Sequence, residues 1–277
     1  MSESEPHFSK DQSIGFPPPL LGREGLRVPV IAWGEGFVVL MKPSDCVGYA
    51  HPRFIRFPSM LESLRFQLKE EKPELLRLGW TVDTPLNAVY NLEPGISGMF
   101  IITTHPERHQ ILSNAWGSDG FRMIFHFLAK DSGGDSIREC SLPIAEDAQK
   151  GEVKVTHRHG KKTHTLFRRL KRWGNFALWE AETTYYRLDQ LFLHAVESGL
   201  PVVGDRRYSR VSPILLSKLK KHYRGDLELE RPIYPDPCVH LCRISVASKE
   251  LGLPAQIDAE MPRAFRGLLN KLEEFAR

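Results

Sequence analysis

The chain has 277 residues, of which 41% are apolar and 26% charged; that ordinary globular composition excludes wholesale disorder and fibrous repeats. At roughly 150 residues per domain, one large domain or two small ones are equally open, and a folded monomer of this length buries about three quarters of its surface. The balance of 38 Lys and Arg against 34 Asp and Glu is too even to demand a polyanionic partner by itself, and the longest apolar runs, such as 37–41 and 99–102, fall far short of the roughly 18 residues of a membrane span.

Residues 1–25 are polar and then proline-rich (Pro17, Pro18, Pro19) and read as a mobile leader. The run from Phe37 to Met41 reads as a strand that stops at Lys42 and Pro43, where proline removes a backbone donor. Ser59 is placed to cap a helix whose apolar positions Met60, Leu61, Leu64 and Leu68 recur at helical spacing. A turn-rich stretch, 90–98, leads into an apolar strand at 99–102, followed by a helix over 104–114. Strands are expected at 122–128, 152–156, 163–170 and 176–183, and helices at 190–197, 213–223 and 262–275. Strands that follow one another in pairs, rather than alternating with helices, indicate an α+β fold with a mostly antiparallel sheet.

Four cysteines (Cys46, Cys140, Cys238, Cys242) do not form a disulfide framework in a chain of this length, and no apolar secretory core opens it. A reducing compartment, the cytoplasm, is the expected location. Cys238, His240 and Cys242 fall on one face of an expected strand without a fourth ligand nearby, so a half-buried strand is preferred to a metal site. Charge distribution says more than net charge. Between Val153 and Trp179 there is no acidic residue, whereas Lys154, Arg158, Lys161, Lys162, Arg168, Arg169, Lys171 and Arg172 are all basic, and a second cluster holds Lys218, Lys220, Lys221, His222 and Arg224. Such one-signed fields attract phosphate backbones, although a solvated hairpin rich in Lys and Arg has the same composition.

The segment Tyr90-Asn91-Leu92-Glu93-Pro94-Gly95-Ile96-Ser97-Gly98 resembles the catalytic loop of the RluA-type pseudouridine synthases, whose pattern is His-Arg-Leu-Asp-x-x-Thr-Ser-Gly. Other stretches resemble that family in the same order. They are the strand from Phe37 to Pro43 with His51 and Pro52 beyond it, and Arg187 to His194 against Arg-Thr-His-Gln-Ile-Arg-x-His. Gly199 to Asp205 with Tyr208 matches Gly-x-Pro-Ile-x-Gly-Asp…Tyr, and Val239 to Ile244 matches the late Leu-His-Ala-x-Arg-Leu strand. The resemblance implies one pseudouridine synthase-like domain over 26–277 without an S4-type domain. Its fold would be a mixed, mostly antiparallel sheet with flanking helices and a central RNA-binding cleft. It further implies a monomer that flips a uridine out of structured rRNA or tRNA, breaks its glycosidic bond and rejoins the base through carbon, with no cofactor, metal or membrane.

Carried over position by position, the family's essential aspartate falls on Glu93, the arginine beside it on Asn91, its arginine partner on Phe192, and its tyrosine on Ile124. The longer arm of Glu93 moves the charge by more than about 1 Å, a misplacement that can cost on the order of 100-fold in rate. Phe192 offers no cation, so a buried Glu93 tends toward a raised pKa unless another, such as Arg187, reaches it. Loss of three partners together favours an RNA-binding protein whose isomerase chemistry is impaired. The alternatives are an active synthase using Glu93 with Tyr90, Tyr185 or Tyr186 as the replacement phenol, and a glycosidic-bond hydrolase pairing Glu93 with Asp189. On this basis Asn91, Ser97, Gly98, Arg122, Arg187, Gln190 and His194 are expected around the bound RNA, with Gln190 and His194 equally readable as a packed polar pair. Lys161, Lys162, Arg168 and Arg169 are expected as phosphate contacts from alternate positions of a basic strand.

Overall fold

The computed structural model describes residues 12–118, 120–147 and 151–276. In chain order its strands are β1 (Ser13–Phe16), β2 (Leu26–Gly34), β3 (Phe37–Lys42), β4 (Asn87–Ala88), β5 (Ile96–Thr103), β6 (Phe121–Lys130), β7 (Ile137–Cys140), β8 (Ile144–Asp147), β9 (Glu152–Val155), β10 (Thr165–Trp173), β11 (Phe176–Thr183), β12 (Val239–Val246) and β13 (Gln256–Asp258). Its helices are α1 (Met60–Lys69), α2 (Pro73–Leu76), α3 (Pro106–Ala115), α4 (Gln190–Glu197) and α5 (Arg263–Phe275). The result is α+β, with a mixed, mostly antiparallel sheet and flanking helices. The chain divides into two compact units, the first comprising residues up to Met123 with 184–186 and 241–259, the second comprising 124–183, 187–240 and 260–277.

In the first unit the strand order is β1-β2-β3-β5-β12. β3 and β5 run antiparallel from Phe37 opposite Thr103 to Lys42 opposite Gly98. Every residue of β5 is buried, as is nearly all of β3. Continuous burial explains why both read as unbroken apolar runs rather than as alternating strands. α1 begins where the sequence places it: the Ser59 hydroxyl accepts from the Glu62 N–H, an N-cap that satisfies one of the helix's orphan donors, and donates its own proton to the Glu62 carboxylate. α3 starts two residues later than expected, at Pro106, because proline at the first helical position lacks only an N–H that would be unpaired anyway. The expected leader does not extend to residue 25. Residues 1–11 lie outside the described residues, but Ser13–Phe16 form β1, pair with β2, and bury Ile14 and Phe16.

In the second unit the order is β6-β11-β10-β7, with β8 and β9 forming a separate hairpin. β11 alternates strictly between half-buried and buried positions, as a strand covered on one face must. β10 and β11 shift register between Arg169 and Lys171, a bulge that leaves Leu170 exposed. α5 inserts Phe265, Leu268 and Leu272 from one stripe into a core with Leu128, Val203, Ile214 and Tyr234, and Tyr234 stacks on Phe265. The helix expected over 213–223 is absent apart from a short 3-10 turn at Leu216–Lys218. That segment is held from outside instead: the Ile233 N–H donates to the Ile214 carbonyl and the Ser217 N–H to the Glu230 carboxylate. All four cysteines are free, and burial pushes the Cys46 thiol up to about 11.

Leu268 has no exposed surface, so Leu268→Ala removes three buried carbons and leaves a cavity. Urea unfolding is expected to show a loss of roughly 2–5 kcal/mol with an unchanged m-value.

Candidate functional site

The stretch 91–95 is stitched to the segment after β3. The Gly95 N–H donates to the Ser44 carbonyl at 2.6 Å and the Gly48 N–H to the Leu92 carbonyl at 3.0 Å. The Asn91 amide clamps the backbone of Tyr49 at two points, accepting from its N–H at 3.0 Å and donating to its carbonyl at 3.1 Å. Lys42 is wholly buried, and its ammonium donates to the carbonyls of Pro43 at 2.7 Å and Cys46 at 2.6 Å, which holds the facing turn. Asn91 is therefore an internal brace of the loop. Where the loop enters β5, Ser97 is buried and Gly98 has φ of 135°. A Cβ on Gly98 would lie 2.5 Å from the Leu241 carbonyl oxygen and 2.7 Å from its nitrogen, so the close approach of β5 to β12 requires glycine here.

This frame carries Glu93 with no solvent-exposed surface. The Tyr186 hydroxyl donates to Glu93 Oε1 at 2.5 Å, a length typical of a short hydrogen bond to a carboxylate. Tyr186 is one of the three phenols expected as a replacement for the tyrosine. Tyr90 spends its hydroxyl on the Met99 carbonyl at 2.7 Å, and burial drives its pKa far above the ordinary value. Its ring stacks on Trp116 with centroids 4.8 Å apart, and Trp116 in turn packs against the Tyr185 ring at 5.7 Å. Ile124, which the motif resemblance sets at the tyrosine position, is half-buried on β6.

In the second unit α4 is preceded by Asp189, which is wholly buried with φ of 63°. Arg207 pairs with Asp189 Oδ1 at 2.7 Å and the Tyr208 hydroxyl donates to Oδ2 at 2.8 Å. Both carboxylate oxygens are thus engaged by this unit's own groups, an arrangement that stabilises the fold and does not favour Asp189 as the second carboxylate of a hydrolase. Phe192, also wholly buried, presents its ring to the Arg207 guanidinium at 5.5 Å. A cation therefore lies over the residue that the motif resemblance sets at the arginine position. No local sequence signal marks Arg207, because its partners lie 18 and 15 positions back along the chain.

Gln190 and His194, expected beside bound RNA, are wholly buried and spend their polar atoms inside the unit. The Gln190 amide donates to the His164 carbonyl and to the hydroxyls of Thr165 and Thr183, and its oxygen accepts from the Arg187 N–H. His194 Nε2 lies 3.0 Å from the Leu142 carbonyl and Nδ1 lies 2.9 Å from the Thr165 hydroxyl. Only an Nε2–H tautomer fits, since a carbonyl cannot donate. The pair of i and i+4 residues is a latch between α4 and β10. Burial, opposed by the Leu142 hydrogen bond and aided by His164, lowers the His194 pKa.

The basic strand is less one-signed in three dimensions than in sequence. Arg168 lies between Glu182 at 2.7 Å and Glu180 at 3.3 Å, both on β11. Arg169 pairs with buried Asp131 at 3.2 Å and lies over the Trp179 ring. Neighbouring strands supply the acids that the sequence interval lacks, so these two arginines are structural ion pairs before any phosphate arrives. Lys161 and Lys162 are exposed, following the turn with His157, Arg158 and His159, and Arg122 is exposed on β6.

No family model matches the chain. A curated relative, the chloroplastic RNA pseudouridine synthase 2 of Oryza sativa subsp. japonica, is 23% identical over 199 residues, covering 67% of this chain and 44% of the relative. The chain thus spans less than half the length of that protein. Two solved structures share its fold. Human RNA Pseudouridylate Synthase Domain Containing 4 has a TM-score of 0.66 at 15% identity, covering 88% of this chain and 92% of that one. Human RNA Pseudouridylate Synthase Domain Containing 1 has a TM-score of 0.54 at 14% identity, covering 89% and 94%. Among the described residues no helix is long and apolar enough to cross a membrane.

Gly98→Ala forces a Cβ against the Leu241 backbone and is expected to cost roughly 1–3 kcal/mol in chemical denaturation, with Ser97→Ala much milder. His194 gives a pH signature. Its folded pKa lies below the ordinary 6.5, so the unfolded chain binds the proton first and stability falls as pH drops below about 6.5. His194→Gln is expected to flatten unfolding free energy measured between pH 7 and pH 5, by at most about 1.4 kcal/mol per pH unit.

Proposed function

We infer that this member of the pseudouridine synthase family is an RNA-binding protein of the RluA type, acting on structured rRNA or tRNA, in which isomerisation of uridine is impaired. The observation that carries this reading is the burial of Glu93 with the Tyr186 hydroxyl on its carboxyl group. A carboxyl that acts on a flipped nucleotide must reach the reacting sugar or base. Here it is buried and bonded to a phenol, and the motif resemblance puts Phe192 and Ile124 where the family carries arginine and tyrosine.

Turnover through Glu93 is the second reading, and the same 2.5 Å contact is what favours it. A phenol that donates to the carboxyl when the site is closed could swing to a nucleotide base and handle its proton, the role for which Ile124 is unfit. On that reading the longer arm of glutamate and the position of Tyr186 compensate for one another. The relative from rice is described as a synthase of pseudouridine in RNA, which supports RNA as the partner under either reading.

One experiment separates them. The purified chain is incubated with total RNA from a strain lacking it, and pseudouridine is mapped at nucleotide resolution alongside Glu93→Ala, Glu93→Asp and Tyr186→Phe. Impaired chemistry predicts no new pseudouridine with the parent chain, salt-sensitive RNA binding, and RNA affinity within about 2-fold for Tyr186→Phe. New sites formed by the parent chain and lost in Glu93→Ala would establish turnover instead, and absence of RNA binding would remove both readings.

A further inference from the structure

The turn after the Gly204 and Asp205 pair is built more rigidly than a connecting loop requires. Asp205 is 1% exposed, and its carboxylate accepts from the backbone N–H groups of Arg207 at 2.9 Å, Tyr208 at 3.2 Å and Ser209 at 2.6 Å. The Ser209 hydroxyl accepts from the Val202 N–H, and the ends of the turn close on each other through Gly204 to Val211 and Val211 to Asp205 hydrogen bonds. Three arginines sit on this frame, and their fates differ. Arg207, itself exposed, pairs with buried Asp189. Arg206 and Arg210 are exposed, and among the described residues neither has an acidic partner.

Arg210 has φ of 52°, a left-handed conformation that costs a non-glycine residue about 1–2 kcal/mol. Glycine would sit there without strain. An arginine held in that conformation at the rim of a fixed turn directs attention to what its side chain can hold. Arg206 and Arg210 border a cleft of about 400 Å³ whose other walls include Ser212, Pro213, Leu215 and Pro232. That volume lies in the range of small-ligand sites, roughly 300–1,000 Å³. The lining thus combines two guanidinium groups, a hydroxyl and apolar side chains. A nucleotide has this chemistry in mirror image: an anionic phosphate that guanidinium groups grip, a flat base for the proline and leucine wall, and a sugar hydroxyl for Ser212.

We propose that Arg206, Arg210 and the cleft beside them form an RNA subsite, contained wholly in the second unit, that grips backbone phosphate and seats an adjoining base. The subsite rests on the reading of the chain as an RNA binder. It is an anchoring site and contributes nothing to bond making or breaking. Its rigidity lowers the ordering cost of binding, since the turn is fixed by Asp205 before RNA arrives.

The test measures binding of a fluorescein-labelled oligouridylate to the full chain over a salt series, for the parent, Arg206→Ala with Arg210→Ala, and Arg210→Gly alone. The double variant is expected to weaken binding at least about 10-fold at low salt, and to flatten the slope of log K against log salt by about 0.7 for each phosphate that is no longer gripped. Arg210→Gly relieves the backbone, so its melting temperature should equal or exceed the parent's while its RNA affinity falls, a split that a purely structural role would not produce. Unchanged affinity and slope in both variants, with the parent still binding RNA, would overturn the subsite and leave the proposed function standing. No RNA binding by the parent would remove the proposed function and the subsite with it. Polyglutamate competing as effectively as RNA would overturn the nucleotide assignment.

Discussion

A carboxyl group removed from water must be given donors, and that requirement organises both units. Glu93 has no exposed surface; leaving such a group without hydrogen bonds costs several kcal/mol. The Tyr186 hydroxyl meets it. For Tyr186 to be there, residues 184–186 must belong to the first unit although the strand before them and the helix after them belong to the second. The loop must also keep its shape, hence the Asn91 clamp on Tyr49, the buried Lys42 ammonium on two carbonyls, and a glycine at 98 where β5 nears Leu241.

The second unit meets the same requirement at Asp189 with a guanidinium and a phenol together. Breaking one partner of such a buried pair leaves an uncompensated charge, which is far more costly than the pair itself is stabilising. Burial and, after it, repulsion between the Asp189 carboxylate and the negative charge a phenolate would carry drive the Tyr208 pKa well up and keep the phenol a donor. Asp189 and Glu93 thus look alike in sequence, and each is met inside its own unit by a phenol, Tyr208 for Asp189 and Tyr186 for Glu93.

Periodicity made most elements legible. Phe37–Lys42, Met60–Lys69, Phe176–Thr183 and Gln190–Glu197 fall within a residue or so of their expected limits because apolar spacing, a serine cap or a terminal glycine marks each one. The helix expected over 213–223 failed for the opposite reason. Its apolar residues do recur at helical intervals, but Ile214 is buried by a cross-connection to Ile233, and tertiary pairing outweighed local propensity. β1 was hidden within a proline-rich stretch whose polarity resembled a leader, and β7 and β8 are too short for alternation to speak. At the site, the motif resemblance located Glu93 and the α4 segment. It could not show that Gln190 and His194 face inward, or that Arg168 and Arg169 meet acids from β11 and the segment before β7. Nor could it show that Tyr186 reaches Glu93 while Tyr90 turns to the Met99 carbonyl. Each of those facts depends on which strand lies beside which, and a linear sequence carries that information only weakly.

Tyr208 has a role that reaches past its hydrogen bond to Asp189. Its oxygen also accepts from the Val153 N–H on β9 at 3.0 Å, so one phenol joins the β8 and β9 hairpin to the start of α4. Two-stranded ribbons rarely hold together in water unaided, and among its described residues this one buries Ile144 and Val153, with Val155 partly covered, against Leu193 and the Tyr208 ring. The Tyr208 ring is therefore one of the ties that fix the ribbon, alongside the backbone bridge between Ile144 and Lys161. A bulky adduct on that one oxygen would strain the hairpin and the approach to α4 together, although they are far apart along the chain.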